Sequence, residues 1–209
     1  HSAVRHALGV AFPGDGSPEI WRLMDAVVEG PPPDAGWIDL GPGSALVCLP
    51  YAGDVFRLFA FGRPLPDSLP EGWRLGAVRW RSDFKVSHRL ADRLSVGRVA
   101  LGGDAAHIHS PIGERGMNLG IEDAWVFSAC AADFLNGETD RIAAYGRLRR
   151  PADARVVRTI RALTRVVTGD GPVVDLAKRT APPVLARFPW LVERALRTGM
   201  GLDHPIRLR

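Results

Sequence analysis

Apolar and polar positions change their period along the chain. Val4, Ala7 and Leu8 follow i, i+3, i+4 spacing behind His1 and Ser2, which predicts a short capped helix in the first ten residues. From about 36 to 90 the period drops to two. Residues 36–40, 44–50 and 55–62 predict strands, and Tyr51-Ala52-Gly53-Asp54 a hairpin turn joining the last two. Residues 78–88 alternate Val78 and Trp80, then Phe84, Val86 and His88, with polar partners, as in a sheet with one wet face. Prolines make 63–72 a loop. Residues 97–103 predict a short buried strand, Val99 to Leu101, followed by a loop over 104–116 and a helix over 117–135. From Asp140, the stripe Ile142, Tyr145, Leu148, Ala152, Val156, Ile160, Leu163 and Val167 predicts a helix that Pro151 kinks or restarts. The tail, 172–201, reads as two short helical pieces broken by Pro182-Pro183 and by Pro189.

Composition narrows the class. The 209 residues are 46% hydrophobic, enough for one substantial core or two small ones and too much for a disordered chain. No apolar run reaches about 18 residues, so no integral membrane segment is expected. HSAVRHALGV lacks the zones of a signal peptide, and Cys48 and Cys130 form no CxxC, which together point to a cytoplasmic protein with two reduced thiols. Residues 138–209 hold 15 Arg+Lys against 7 Asp+Glu. Spread among apolar positions, that charge reads as the wet face of helices, so no nucleic-acid partner is expected.

The chemistry concentrates between Gly103 and Ala124. A strand delivers Asp104 at its carboxyl end, where ligands bind in open α/β sheets. Gly113 and Gly116 permit close backbone approach, and the following helix aims its unpaired N–H groups and positive dipole end at the same space. A ligand with a sugar-like chain and a ring that becomes anionic on reduction fits this arrangement. An ordinary strand–loop–helix unit with Asp104 as a turn residue is the alternative that these few residues leave open.

The run Gly103-Asp104-Ala105-Ala106-His107, then Pro111-x-Gly113-x-x-Gly116-Met117-Asn118-x-Gly120-Ile121-x-Asp123-Ala124, resembles the second flavin motif of the FAD-dependent aromatic hydroxylases. These are the group A flavoprotein monooxygenases, similar to p-hydroxybenzoate hydroxylase and the ubiquinone-biosynthesis hydroxylases. Ser2 and Arg5 resemble the end of the family's DGxxSxVR motif, and Tyr145 with Arg149-Arg150-Pro151 is similar to its later helix. The resemblance implies an α+β or α/β fold, with a mixed or antiparallel substrate sheet, the C-terminal part of an FAD domain, and C-terminal helices. It assigns 1–10 to the end of a first FAD segment, 11–92 to the substrate sheet, 93–136 to the second FAD segment and 137–209 to C-terminal helices. Gly103, Asp104, Pro111, Gly113, Gly116, Met117 and Asn118 become the cofactor-binding residues, with Asp104 accepting from the ribityl hydroxyls and the Met117 and Asn118 amides facing the pyrimidine edge. It implies FAD as cofactor, NAD(P)H (NADPH or NADH) as reductant, and O2 and an aromatic or polycyclic compound as substrates, and it is compatible with a homodimer. The family's N-terminal G-x-G-x-x-G unit is absent from these 209 residues, so the likeness covers the C-terminal part only.

Other readings stand beside it. His107 and His109 with Asp104 and Glu114 lack a second pair at ligand spacing, so no metal is expected. No Gly-x-Ser-x-Gly elbow offers a hydrolase nucleophile, and no catalytic side chain is identified. Trp37, Leu49, Phe59 and Trp80 are candidates for a substrate pocket, although aromatics mostly serve cores. Halogenation, epoxidation or prenyl-chain reduction remain alternatives, a halogenase lysine here being Lys85 or Lys178. So does a non-catalytic remnant or interaction module.

Overall fold

The computed structural model describes every residue except 31, 33, 64, 66–68, 113, 114, 201–205, 207 and 209. The protein is a mixed α+β structure with an antiparallel sheet and C-terminal helices. It divides into two compact units, one of 1–16, 87–164 and 188–209, the other of 17–86 and 165–187.

The second unit is built on the strands β1 (Gly14–Glu29), β2 (Trp37–Gly41), β3 (Ser44–Ala52), β4 (Val55–Phe61) and β5 (Arg74–Leu90), ordered β2-β3-β4-β1-β5. Strands β2, β3 and β4 stand where alternation predicts them, with Gly53 at φ +59° in the hairpin turn. The ladder sets Leu46 opposite Ala60, Cys48 opposite Leu58, Met24 opposite Leu58 and Ala26 opposite Phe56. Facing residues of an antiparallel pair share one side of the sheet, so these form a single apolar face. Trp37, Leu65, Leu69, Trp73 and Leu75 pack against it. Leu58 is fully buried there, and Leu58→Ala is expected to cost about 3 kcal/mol in urea unfolding. Cys48 is also buried, and desolvation pushes its thiol up to about 11.

Helix α4 (Pro172–Ala186) belongs to the same unit and runs through Pro182 and Pro183, correcting the expected break. A proline's fixed φ is compatible with a helix, so the break that the missing donors suggest need not follow. Its Lys178 ammonium donates to the carbonyls of Gly41 at 3.0 Å and Gly169 at 2.7 Å.

In the first unit, Ser2 caps α1 (Ala3–Ala7), accepting from the Arg5 N–H at 3.2 Å. The predicted buried strand shrinks to β7 (Val99–Ala100), paired with β6 (Ser95–Val96), and Val99 is exposed. Gly97 at φ +56° makes the tight turn, Leu101 is buried in the core, and Val96 and Ala100 pack against it. Asp104 therefore lies in a 3-10 turn (Gly103–Ala105), not directly at a strand end. After it, β8 (His107–Ile108) pairs with Arg89 and Leu90 at the end of β5. Helix α2 (Arg115–Leu135) opens two residues before the predicted start.

Helix α3 (Arg141–Thr168) is continuous through Pro151. Burial of Tyr145 and Arg149 before the proline, and of Asp153 and Val156 after it, offsets the lost hydrogen bond. Leu163 of the predicted stripe is exposed. Pro189 opens α5 (Pro189–Met200), where a first-turn proline loses nothing. No described helix is long and apolar enough to cross a membrane.

Candidate functional site

The segment from Gly103 to Ser110 is pinned at nearly every second residue. Gly103 adopts φ +56°, and its N–H donates to Asp123 Oδ2 at 2.9 Å. The Arg5 guanidinium, stacked on Phe12, donates to the Ala105 carbonyl at 2.9 Å. His107 donates from Nε2 to the same Asp123 Oδ2 at 2.7 Å. The Ser110 and Thr164 hydroxyls lie 2.6 Å apart, and His88 Nε2 reaches Thr164 at 3.2 Å. Between these anchors Asp104 is exposed and makes no hydrogen bond or ion pair with a described residue. A carboxylate held on a fixed turn and left open is an acceptor without a partner.

Helix α2 supplies the other half. Gly120 lies against the turn, a Cβ there meeting Gly103 Cα at 3.5 Å. The helix therefore runs close to Gly103, with Gly116, Met117 and Asn118 exposed in its first turn. First-turn N–H groups have no intrahelical acceptor and carry the positive end of the dipole. His109 sits beside Gly116, its Nδ1 donating to the Ser110 carbonyl at 2.8 Å, and burial pushes its imidazole down, against that bond. Pro111 is half-buried; Gly113 and Glu114 lie outside the described residues.

Residues 69–160 match the family described as FAD binding domain. The 6-methylpretetramide 4-monooxygenase of Streptomyces rimosus is 30% identical over 179 residues, covering 85% of this chain and 28% of that protein. The rifampicin monooxygenase of Streptomyces venezuelae is 32% identical over 195 residues, 82% of this chain and 41% of its own length. Among solved structures, the OxyS anhydrotetracycline hydroxylase from Streptomyces rimosus superposes with a TM-score of 0.70 at 26% identity, over 99% of this chain and 45% of that one. The chain is homologous to the group A flavoprotein monooxygenases. It spans less than half the length of these monooxygenases.

Behind this loop lies a buried ionic cluster. Asp123 Oδ1 accepts from Arg149 Nε at 2.7 Å, and Arg149 Nη2 reaches Asp153 at 2.9 Å and Glu122 at 3.2 Å. Burial pushes the Asp123 carboxyl up, but the bonds from His107, Arg149 and Gly103 outweigh it and hold the group below the usual range. Asp153 goes the other way: burial, with the Asp123 charge nearby, pushes it up to about 7. The Arg149–Asp153 spacing of four on a helix signals such a pair; the burial was not readable. His107, Asp123 and Asp153 have ligand atoms within 4.8 Å of one another, yet Arg149 already supplies the cation between the two carboxylates. Tyr145 donates to the Leu101 carbonyl at 2.8 Å, and Tyr145→Phe is expected to cost about 1 kcal/mol in thermal unfolding.

The pocket candidates do not share a face. Trp37 pairs with Cys48 on the apolar core side. Phe59, opposite Val47 and Leu23, and Leu49, opposite Arg57, occupy the reverse side. Trp80 is 48% exposed. On that reverse side an additional aromatic group forms, Trp21 with Phe61 at 4.8 Å and Phe84 at 6.4 Å between ring centroids. Of the two lysines weighed for halogenation, Lys178 is tied to carbonyls and Lys85 is exposed.

Proposed function

We propose that this chain carries the substrate sheet and flavin loop of an FAD-dependent monooxygenase that hydroxylates an aromatic or polycyclic compound with NAD(P)H and O2. The observation that carries the proposal is the open Asp104 carboxylate on a turn anchored at Gly103, Ala105 and His107, beside the first turn of α2. The residues present fit a flavin. Asp104 offers a charged acceptor for vicinal hydroxyls, Gly103 and Gly116 leave room for close approach, and the α2 amides suit a ring edge that gains negative charge. Bound FAD would supply the oxygen-transfer chemistry, which no side chain of this segment provides. The chain's own residues bind the ribityl chain at Asp104, hold the loop rigid, and stabilise charge at the Met117 and Asn118 amides.

Met117, Ile121 and Trp125 are 75%, 60% and 61% exposed along α2, an apolar stripe beyond what scattered surface residues make. In the proposed enzyme the dinucleotide-binding part covers it. The names of the relatives, tetracycline and rifampicin monooxygenases among them, favour a polycyclic substrate. The test is incubation of the FAD-loaded enzyme with NAD(P)H, labelled dioxygen and a panel of fused-ring phenols. One labelled oxygen atom in the product supports the reading, and NAD(P)H oxidation that no compound stimulates contradicts it.

A further inference from the structure

We infer that Asp123 is the positioning residue for Asp104, gripping both sides of its turn through a single carboxylate oxygen. Oδ2 receives the Gly103 N–H, one residue before Asp104, and the His107 imidazole, three residues after it. With both ends of the turn on one atom, Asp104 has one way to face. This inference rests on the flavin reading of Asp104.

Close packing fixes the grip. A Cβ on Gly102 would meet Asp123 Cβ and Tyr145 Oη, both at 3.2 Å, so the backbone leading into the turn lies directly on the Asp123 side chain. Arg149 holds the other oxygen, and the Asp123 side chain is 2% exposed. A carboxylate taking three donors on two oxygens presents acceptors in both directions. Asparagine cannot do this: if its oxygen serves Arg149, its NH2 group confronts the Gly103 N–H, even where His107 changes tautomer to accept, and if reversed it confronts Arg149.

The ion pairs support the same assignment. Glu122, Asp123 and Asp153 face Arg115, Arg149 and the His107 imidazole, and Asp123 is the carboxylate bonded to both Arg149 and His107. Those bonds hold Asp123 ionised on the turn.

The experiment compares FAD affinity and backbone amide exchange in the full-length holoenzyme and its variants. Asp123→Asn is expected to bind FAD 10- to 100-fold more weakly, to lose protection at the Gly103 amide, and to shift the visible circular dichroism of the bound flavin. Leu58→Ala, matched for lost thermal stability, should leave affinity and flavin spectrum unchanged, which separates positioning from general destabilisation. Should Asp123→Asn fail to fold, His107→Leu and His107→Gln take its place: the first is expected to weaken FAD about 10-fold, the second, keeping an N–H donor, to recover most of it. A folded Asp123→Asn with wild-type affinity and Gly103 protection, or a His107→Leu with wild-type affinity, overturns the inference. If Asp104→Ala itself leaves FAD affinity unchanged, the flavin reading falls instead.

Discussion

Alanine at position 104 is expected to weaken FAD binding about 100-fold. A carboxylate receiving two ribityl hydroxyls contributes roughly 1.5 kcal/mol through each bond, because the acceptor is charged. The protein is expected to keep its stability, since Asp104 is exposed and bonds to no described residue. Asp104→Asn keeps one acceptor and should fall between, at about 10-fold. Equilibrium dialysis with flavin fluorescence reads all three proteins, and unchanged affinity in the alanine variant removes Asp104 from the site.

The second large effect lies behind the loop. Arg149→Met is expected to cost about 3–5 kcal/mol at pH 7.5, because it leaves Asp123 Oδ1 and the Asp153 carboxyl without their donor in a buried place. Its neighbour behaves oppositely. Asp153 binds a proton more tightly folded, at about 7, than unfolded, where the carboxyl has its ordinary value near 4. Its stabilising contribution is therefore full below about pH 4 and is lost as pH rises through about 7. Asparagine mimics the protonated acid at every pH. Asp153→Asn should match the wild type at pH 4 and exceed it by about 2–4 kcal/mol at pH 8. Urea unfolding across that range reads the difference; a variant destabilised at pH 8 would show that the Asp153 charge helps to hold the cluster.

What could be read beforehand follows the physics of each segment. Strands β2, β3 and β4 are legible because each is a short β-type run bounded by Gly, Pro or Asp, with one face packed on the apolar core. Strand β1 drew no expectation: around Trp21 to Val28 both of its sides are at least partly covered, so the run IWRLMDAVV shows no alternation. Pro182-Pro183 reads as a break, and Pro151 as a kink or a restart, because a local rule sees the missing donor, while packing along α3 comes from residues distant in sequence. In the candidate site, the motif resemblance marks Asp104 and the first turn of α2. The role of Asp123 depends on Arg149, which arrives from another helix, and that of Asp153, four residues from Arg149 on α3, on its burial; neither shows in the motif. Trp37 and Leu49 were grouped as pocket candidates, and only the ladder register separates their faces.

An amide titration of the 15N-labelled protein with FAD addresses the flavin site itself. The account predicts that resonances of Gly103–Ala105 and of Gly116–Asn118 shift together and saturate, while those of Leu46, Leu58 and the rest of the sheet core stay in place. Shifts confined to other surfaces, or none from the folded protein at millimolar FAD, would contradict it.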